Sequence, residues 1–124
     1  MTDTQPAGGP PPLGPYTPIV AAGPWFVCSG QVGQLDGRLV DGGVGPQAAQ
    51  CVANLETLLQ SQGLELSNVV KTTVFLTDIA DYAEVNAAYV EAFKGHRPAR
   101  SAVAVAGLPM GALVEIEAWA YAGE

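Results

Sequence analysis

One histidine, His96, and two cysteines, Cys28 and Cys51, are all this chain of 124 residues offers toward metal or relay chemistry. The cysteines form no CxxC pair and have no metal-ligand spacing, so neither a zinc site nor a redox dithiol has its parts. Two buried free thiols are expected instead. One histidine cannot build a His-based metal site, and no histidine-relayed triad is visible. Positive charge is scarce too: 5 Lys+Arg stand against 12 Asp+Glu, a net charge of −7. Such a surface repels phosphate backbones, so nucleic acid is not the expected partner. No apolar run approaches the roughly 18 residues of a membrane span. The first residues lack the basic region and apolar stretch of a signal peptide. No membrane association is expected, and a cytoplasmic location is the default. The glycines spell neither GxxxxGK[ST] nor a helix-opening GxGxxG, so a nucleotide-phosphate cradle is not expected.

What is present is a core. Hydrophobic residues make up 48% of the chain, and the length suits one domain. Residues 1–12, polar and rich in Gly and Pro, read as a flexible tail before a domain over 13–124. Gly14-Pro15-Tyr16-Thr17-Pro18 is a stiff lead-in, extended or turned. Ile19–Ala22 and Trp25–Ser29 form a hairpin turning at Gly23-Pro24. Leu35-Asp36-Gly37-Arg38-Leu39 is an exposed loop or small hairpin. Apolar residues at three- and four-residue spacing predict a helix over Val44–Gln62, with Pro46 in its first turn and Gly63 as its stop. A strand follows over Asn68–Asp78, with Val70, Thr72, Val74 and Leu76 on one face and Lys71, Thr73, Phe75 and Thr77 on the other. A second helix is predicted over Tyr82–Lys94, opened by an Asp81–Glu84 capping box. Its apolar stripe is Tyr82, Val85, Tyr89 and Phe93. Strands over Arg100–Ala106 and Leu113–Tyr121 complete the order β-β-α-β-α-β-β.

The last strand alternates cleanly. Val114, Ile116, Ala118 and Ala120 face one way, and Glu115, Glu117, Trp119 and Tyr121 the other. The fold is therefore read as α+β, a mixed sheet with both helices packed on one face. The opposite face carries Phe75, Trp119 and Tyr121, and carboxylates beside aromatics suit a subunit interface or a site. A closed cyclic homo-oligomer follows.

The chemistry centres on Arg97 to Pro109, which holds two of the five basic side chains. Arg100 stands where a Pro-bearing segment gives way to a strand, and a guanidinium there can hold a carboxylate through paired hydrogen bonds. Arg97 has no assigned role. Glu115 can activate a water if desolvation raises its pKa. Two readings of Arg100 and Glu115 stand side by side: a ligand clamp with its base, or a structural ion pair at a subunit seam. Tyr16 is either a core anchor or a wall of the site. Ser29-Gly30 is either a close approach of backbone to ligand or a bulge at a strand end. Asn86 is either a solvated or backbone-bonded amide or a site residue. No nucleophile–base pair is visible, which argues against covalent catalysis.

Four segments in this order carry a resemblance: Cys28-Ser29-Gly30-Gln31, Val70-Lys71-Thr72-Thr73-Val74-Phe75, Val85-Asn86-Ala87 with Tyr89, and Pro98-Ala99-Arg100-Ser101. Together with Gly14-Pro15-Tyr16 and Glu115-Ile116-Glu117-Ala118, they make the chain resemble the Rid family, the YjgF/YER/UK-type reactive-intermediate deaminases. The resemblance implies a chorismate-mutase-like domain in a homotrimer, with pockets between subunits. It implies hydrolysis of 2-imino or 2-enamino acids to 2-oxo acids and ammonia, with no cofactor and no metal. By the same resemblance Arg100 holds the substrate carboxylate and Glu115 positions water. Tyr16, Ser29, Gly30 and Asn86 match pocket positions. Ala102 stands where the family commonly has cysteine, its carbonyl serving if only the backbone binds there. Pro18 replaces a polar residue near the pocket. The alternatives are a non-catalytic trimer that binds 2-oxo acids or protects other proteins and, weakened by the acidity, an endoribonuclease.

Overall fold

The computed structural model describes residues 11–123 and the backbone of Thr2–Thr4. The strands are β1 (Thr2–Thr4), β2 (Ile19–Ala22), β3 (Trp25–Val32), β4 (Gln34–Leu35), β5 (Arg38–Leu39), β6 (Val69–Leu76), β7 (Ala99–Ala104) and β8 (Val114–Tyr121). The helices are α1 (Val44–Gln60) and α2 (Tyr82–Ala92). Six strands form a mixed sheet in the order β1-β2-β3-β8-β6-β7, in which only β6 and β7 run parallel. Most of the expected tail over 1–12 lies outside the described residues; within it, β1 pairs antiparallel with β2.

Strand β8 sets the layering. Val114, Ile116, Ala118 and Ala120 are fully buried, and Glu115, Glu117, Trp119 and Tyr121 are not. The buried row lies under α1, whose Cys51, Leu55, Leu58 and Leu59 join the same core cluster. Side chains of this kind each gain roughly 1.5–3 kcal/mol on burial. From α2, Val85, Tyr89 and Phe93 complete the cluster. Tyr82, expected on that stripe, is instead exposed at the start of the helix.

Two amides of α1 inside this layer are paired. Asn54 on α1 donates to the Val32 and Gln34 carbonyls, at 3.1 and 3.0 Å. The Gln47 side-chain oxygen accepts from Leu113 N–H at 2.9 Å. Both helix amides thereby fix loops that flank the sheet, where an unpaired buried backbone group would be costly. Leu35–Leu39 is the small hairpin, β4 pairing with β5. Its Asp36-Gly37 tip has φ of 55° and 84°, the left-handed pair that a two-residue hairpin turn needs. Cys28 and Cys51 are free and buried. Burial pushes the Cys28 thiol up to about 12 and raises Cys51 as well, which disfavours the thiolate at both.

Two local expectations are corrected. In β6, Thr72, Val74 and Leu76 face the core as expected, but Val70 does not. A bulge sets Val69 and Lys71 against the consecutive Ala120 and Trp119 of β8. The extra residue turns Val69 inward and leaves Val70 exposed. The Asp81–Glu84 capping box does not form, since Asp81 makes no side-chain cap. A single 3₁₀ turn over Ile79–Asp81 precedes α2, and Asp78 caps that turn by accepting from Ala80 N–H at 2.9 Å. Glu84 lies instead against Gly45 in the first turn of α1, where a carboxylate complements the helix dipole.

Asp78→Ala is therefore expected to lower unfolding free energy by about 1 kcal/mol, and Asp81→Ala by less. Urea denaturation of the two variants checks the order.

Candidate active site

The sequence-derived site residues fall into two groups on opposite faces of the sheet. Glu115 is opposite Phe75 in register and points away from the helices, since its neighbours Val114 and Ile116 are buried beneath them. Arg100 is opposite Thr72 across the parallel pair and points toward α2. Thr72 is fully buried and shares a 2.7 Å hydrogen bond with the Tyr89 hydroxyl. Among the described residues no ion pair joins Arg100 and Glu115; Lys94 and Glu56 pair at 3.3 Å.

The Glu115 group is built on a bulge in β3. Cys28 and Gln31 oppose Ala118 and Ile116, so Ser29 and Gly30 share the place of one residue. The Glu115 carboxylate packs directly on Gly30, and a Cβ there would stand 2.8 Å from its Cδ. A side chain at this position would push the Glu115 carboxylate aside. Ser29 faces inward to its own chain. Its N–H donates to the Pro18 carbonyl at 2.8 Å and its Oγ donates to the Thr17 carbonyl at 2.7 Å. The Ser29 N–H is therefore spent on the lead-in segment. Tyr16, tethered through Leu13 N–H donating to its hydroxyl at 3.0 Å, is 42% exposed. Of its two readings, wall and core anchor, the wall fits. Tyr16, Pro18, Gly30, Gln31, Pro109 and Glu115 line a cavity of about 30 Å³, on the order of one water's share of liquid volume. Burial first, then the neighbouring Glu117 carboxylate, raises the Glu115 pKa above the ordinary glutamate value. A carboxylate of raised pKa is a stronger base than an exposed one.

The Arg100 group is built on the β7–α2 seam. The guanidinium carbon lies 4.9 Å from the Tyr89 ring centroid and 5.4 Å from that of Tyr82, within cation–π range. One Nη2 N–H donates to the Tyr82 hydroxyl at 3.0 Å. A guanidinium has five donors, so a carboxylate can still be held. Beside it opens a cavity of about 380 Å³ whose lining includes Asn86, Tyr89, His96 and Arg100. The Asn86 side-chain oxygen is buried with no hydrogen-bond partner, so the expectation of a backbone-bonded amide is not met at that atom. Ala102 lies two residues beyond Arg100 on the same strand and packs, half-buried, against the core. The two tyrosines under Arg100 were readable only as core. Their spacing of seven residues, two turns along one face of α2, was the available signal.

The chain matches the Endoribonuclease L-PSP family over residues 7–122. It is 44% identical to the human 2-iminobutanoate/2-iminopropanoate deaminase over 119 residues, covering 94% of this chain and 87% of that protein. It is 40% identical to the mitochondrial protein mmf1 of Schizosaccharomyces pombe, covering 84% of this chain and 66% of that one. Among solved structures, E. coli TdcF with bound serine superposes with a TM-score of 0.87 at 34% identity, covering 93% of this chain and 94% of that one. RidA from an Antarctic Psychrobacter superposes at 0.85 with 38% identity, covering 91% and 93%.

Gly30→Ala is expected to displace the Glu115 carboxylate, visible as a changed Glu115 titration with the fold intact by circular dichroism. Glu117→Gln removes a like charge, so the Glu115 pKa should fall. Carbon-13 NMR of the Glu115 carboxyl reads both.

Proposed function

Because the chain belongs to the RidA/YjgF/L-PSP family, we propose that it hydrolyses 2-imino and 2-enamino acids to 2-oxo acids and ammonia. Arg100 holds the substrate carboxylate and Glu115 handles the protons of the attacking water. The observation that carries the reading is Glu115 itself: a half-buried carboxylate of raised pKa, laid on Gly30 beside a water-sized cavity. The TdcF neighbour binds serine, a small α-carboxylate of the kind Arg100 would grip.

Arg100 and Glu115 leave opposite faces of one sheet, so one chain does not supply both to one ligand. We assign the complete site to the seam between copies in a homotrimer. The helix-free face favours association. Trp25, Trp119 and Tyr121 are all more than a third exposed there, with Trp25 packed edge-on to both other rings. Exposed aromatics clustered in this way suit an interface core.

In the assembled site the carboxylate clamp fixes the C=N carbon, and Tyr16 and Pro109 shield it. An enamine first takes a proton from solvent at C3, or an imine takes one at nitrogen, to become the iminium ion. Water then adds its oxygen to C2 and gives one proton to Glu115, forming a carbinolamine. Glu115 returns that proton to nitrogen. The C–N bond breaks with its electron pair leaving on ammonia, and the hydroxyl proton passes to that ammonia. The products are a 2-oxo acid and ammonium. The ionised Glu115 starts the cycle, so turnover should rise as pH climbs through its raised pKa. Ala102 contributes only its backbone carbonyl. Catalysis so described draws on no cofactor or metal, and the cytoplasm is the proposed location. A non-catalytic 2-oxo-acid binder would share Arg100 but not need Glu115. An endoribonuclease fits poorly with the −7 charge.

Arg100→Ala and Glu115→Gln are each expected to abolish accelerated 2-iminobutanoate hydrolysis while leaving the oligomer intact by light scattering. Co-refolded in equal amounts, the two inactive variants should recover roughly a quarter of wild-type activity, because a mixed cyclic trimer carries one intact seam. No recovery rejects the shared site; full activity in Glu115→Gln rejects the general base.

A further inference from the structure

Among the described residues, the Arg100 cavity gathers three of the chain's few cationic side chains. Its lining includes Arg97, Arg100 and His96, with no Asp or Glu among the lining residues. The whole chain has 5 Lys+Arg and one His against 12 Asp+Glu. Arg97 is exposed and, among the described residues, makes no ion pair or hydrogen bond. Pro98 stands between it and Arg100 and fixes its own φ. The cavity of about 380 Å³ is within the usual range for small-molecule sites, about 300–1,000 Å³. A monocarboxylate such as an imino acid with a short alkyl side chain would use one arginine and leave the other facing apolar carbon. Two guanidiniums on one cavity match two carboxylates, and the unpartnered Asn86 oxygen adds an acceptor for an N–H.

We propose that the preferred substrate is a dicarboxylic 2-imino acid of about four or five carbons, its α-carboxylate on Arg100 and its distal carboxylate on Arg97. This rests on the Arg100 clamp of the proposed function. Titration calorimetry with the unreactive 2-oxo acids tests it at fixed ionic strength. The wild-type protein should bind 2-oxoglutarate roughly tenfold more tightly than 2-oxobutanoate, the effect of one added charge-assisted pair. Arg97→Gln should erase that advantage and leave 2-oxobutanoate affinity unchanged. Equal affinities in the wild-type protein overturn the proposal. So does an Arg97→Gln variant that weakens both ligands alike, or inorganic phosphate that competes as well as 2-oxoglutarate, which would mark a general anion site. Arg100→Ala separates the two levels of the argument. Loss of both ligands supports the clamp, whereas retained 2-oxobutanoate binding overturns the clamp itself and not merely the diacid.

Discussion

Strand β8 can lie under α1 only because every second residue is small or branched aliphatic. Val114, Ile116, Ala118 and Ala120 let α1 approach the sheet and seal it from water. The pleat then forces Glu115, Glu117, Trp119 and Tyr121 to the far side. A carboxylate in the middle of a sheet is thereby half-desolvated beside a second carboxylate, which raises its pKa. The packing requirement and the chemistry are two faces of one alternation.

The same pleat separates the parts of the site. β7 pairs in parallel with β6, so Arg100 shares the face of Thr72 and is laid on Tyr89 and Tyr82 of α2. Its cation is held by ring faces and one hydroxyl rather than by an acid. An arginine neutralised by Glu115 in the same chain would have less attraction for a ligand carboxylate. Arrangement on opposite faces keeps the two charges apart within one chain.

Backbone irregularities do the fine placement. The bulge in β3 lets Gly30 pass under Glu115 while Ser29 ties down the lead-in segment that carries Tyr16. The bulge in β6 turns Val69 inward, and the Val69 carbonyl meets His96 Nε2 at 2.7 Å. That contact anchors the segment bearing Arg97 and Arg100. Gly30 gave a sign of the first bulge, but no residue type announces the second, which depends on how β6 pairs with β8. The missing Asp81 cap has a similar cause: the chain inserts a 3₁₀ turn before α2, and the aspartate three residues earlier, Asp78, takes the role.

Period alone determined much of this protein. The two-residue alternation of β8, the three- and four-residue spacing of α1 and the Asp36-Gly37 turn are local patterns, and local sterics decide them. The Rid-type segments placed Tyr16, Ser29, Gly30, Asn86, Arg100, Ala102 and Glu115 together as one list of candidates. Tertiary structure divided that list. Face and register are relations between strands far apart in the chain, so the sequence could not show that Arg100 and Glu115 leave opposite sides of the sheet. Nor could it show that Arg97 and His96 join Arg100 around one cavity, because that depends on how the turn after α2 folds back onto β6.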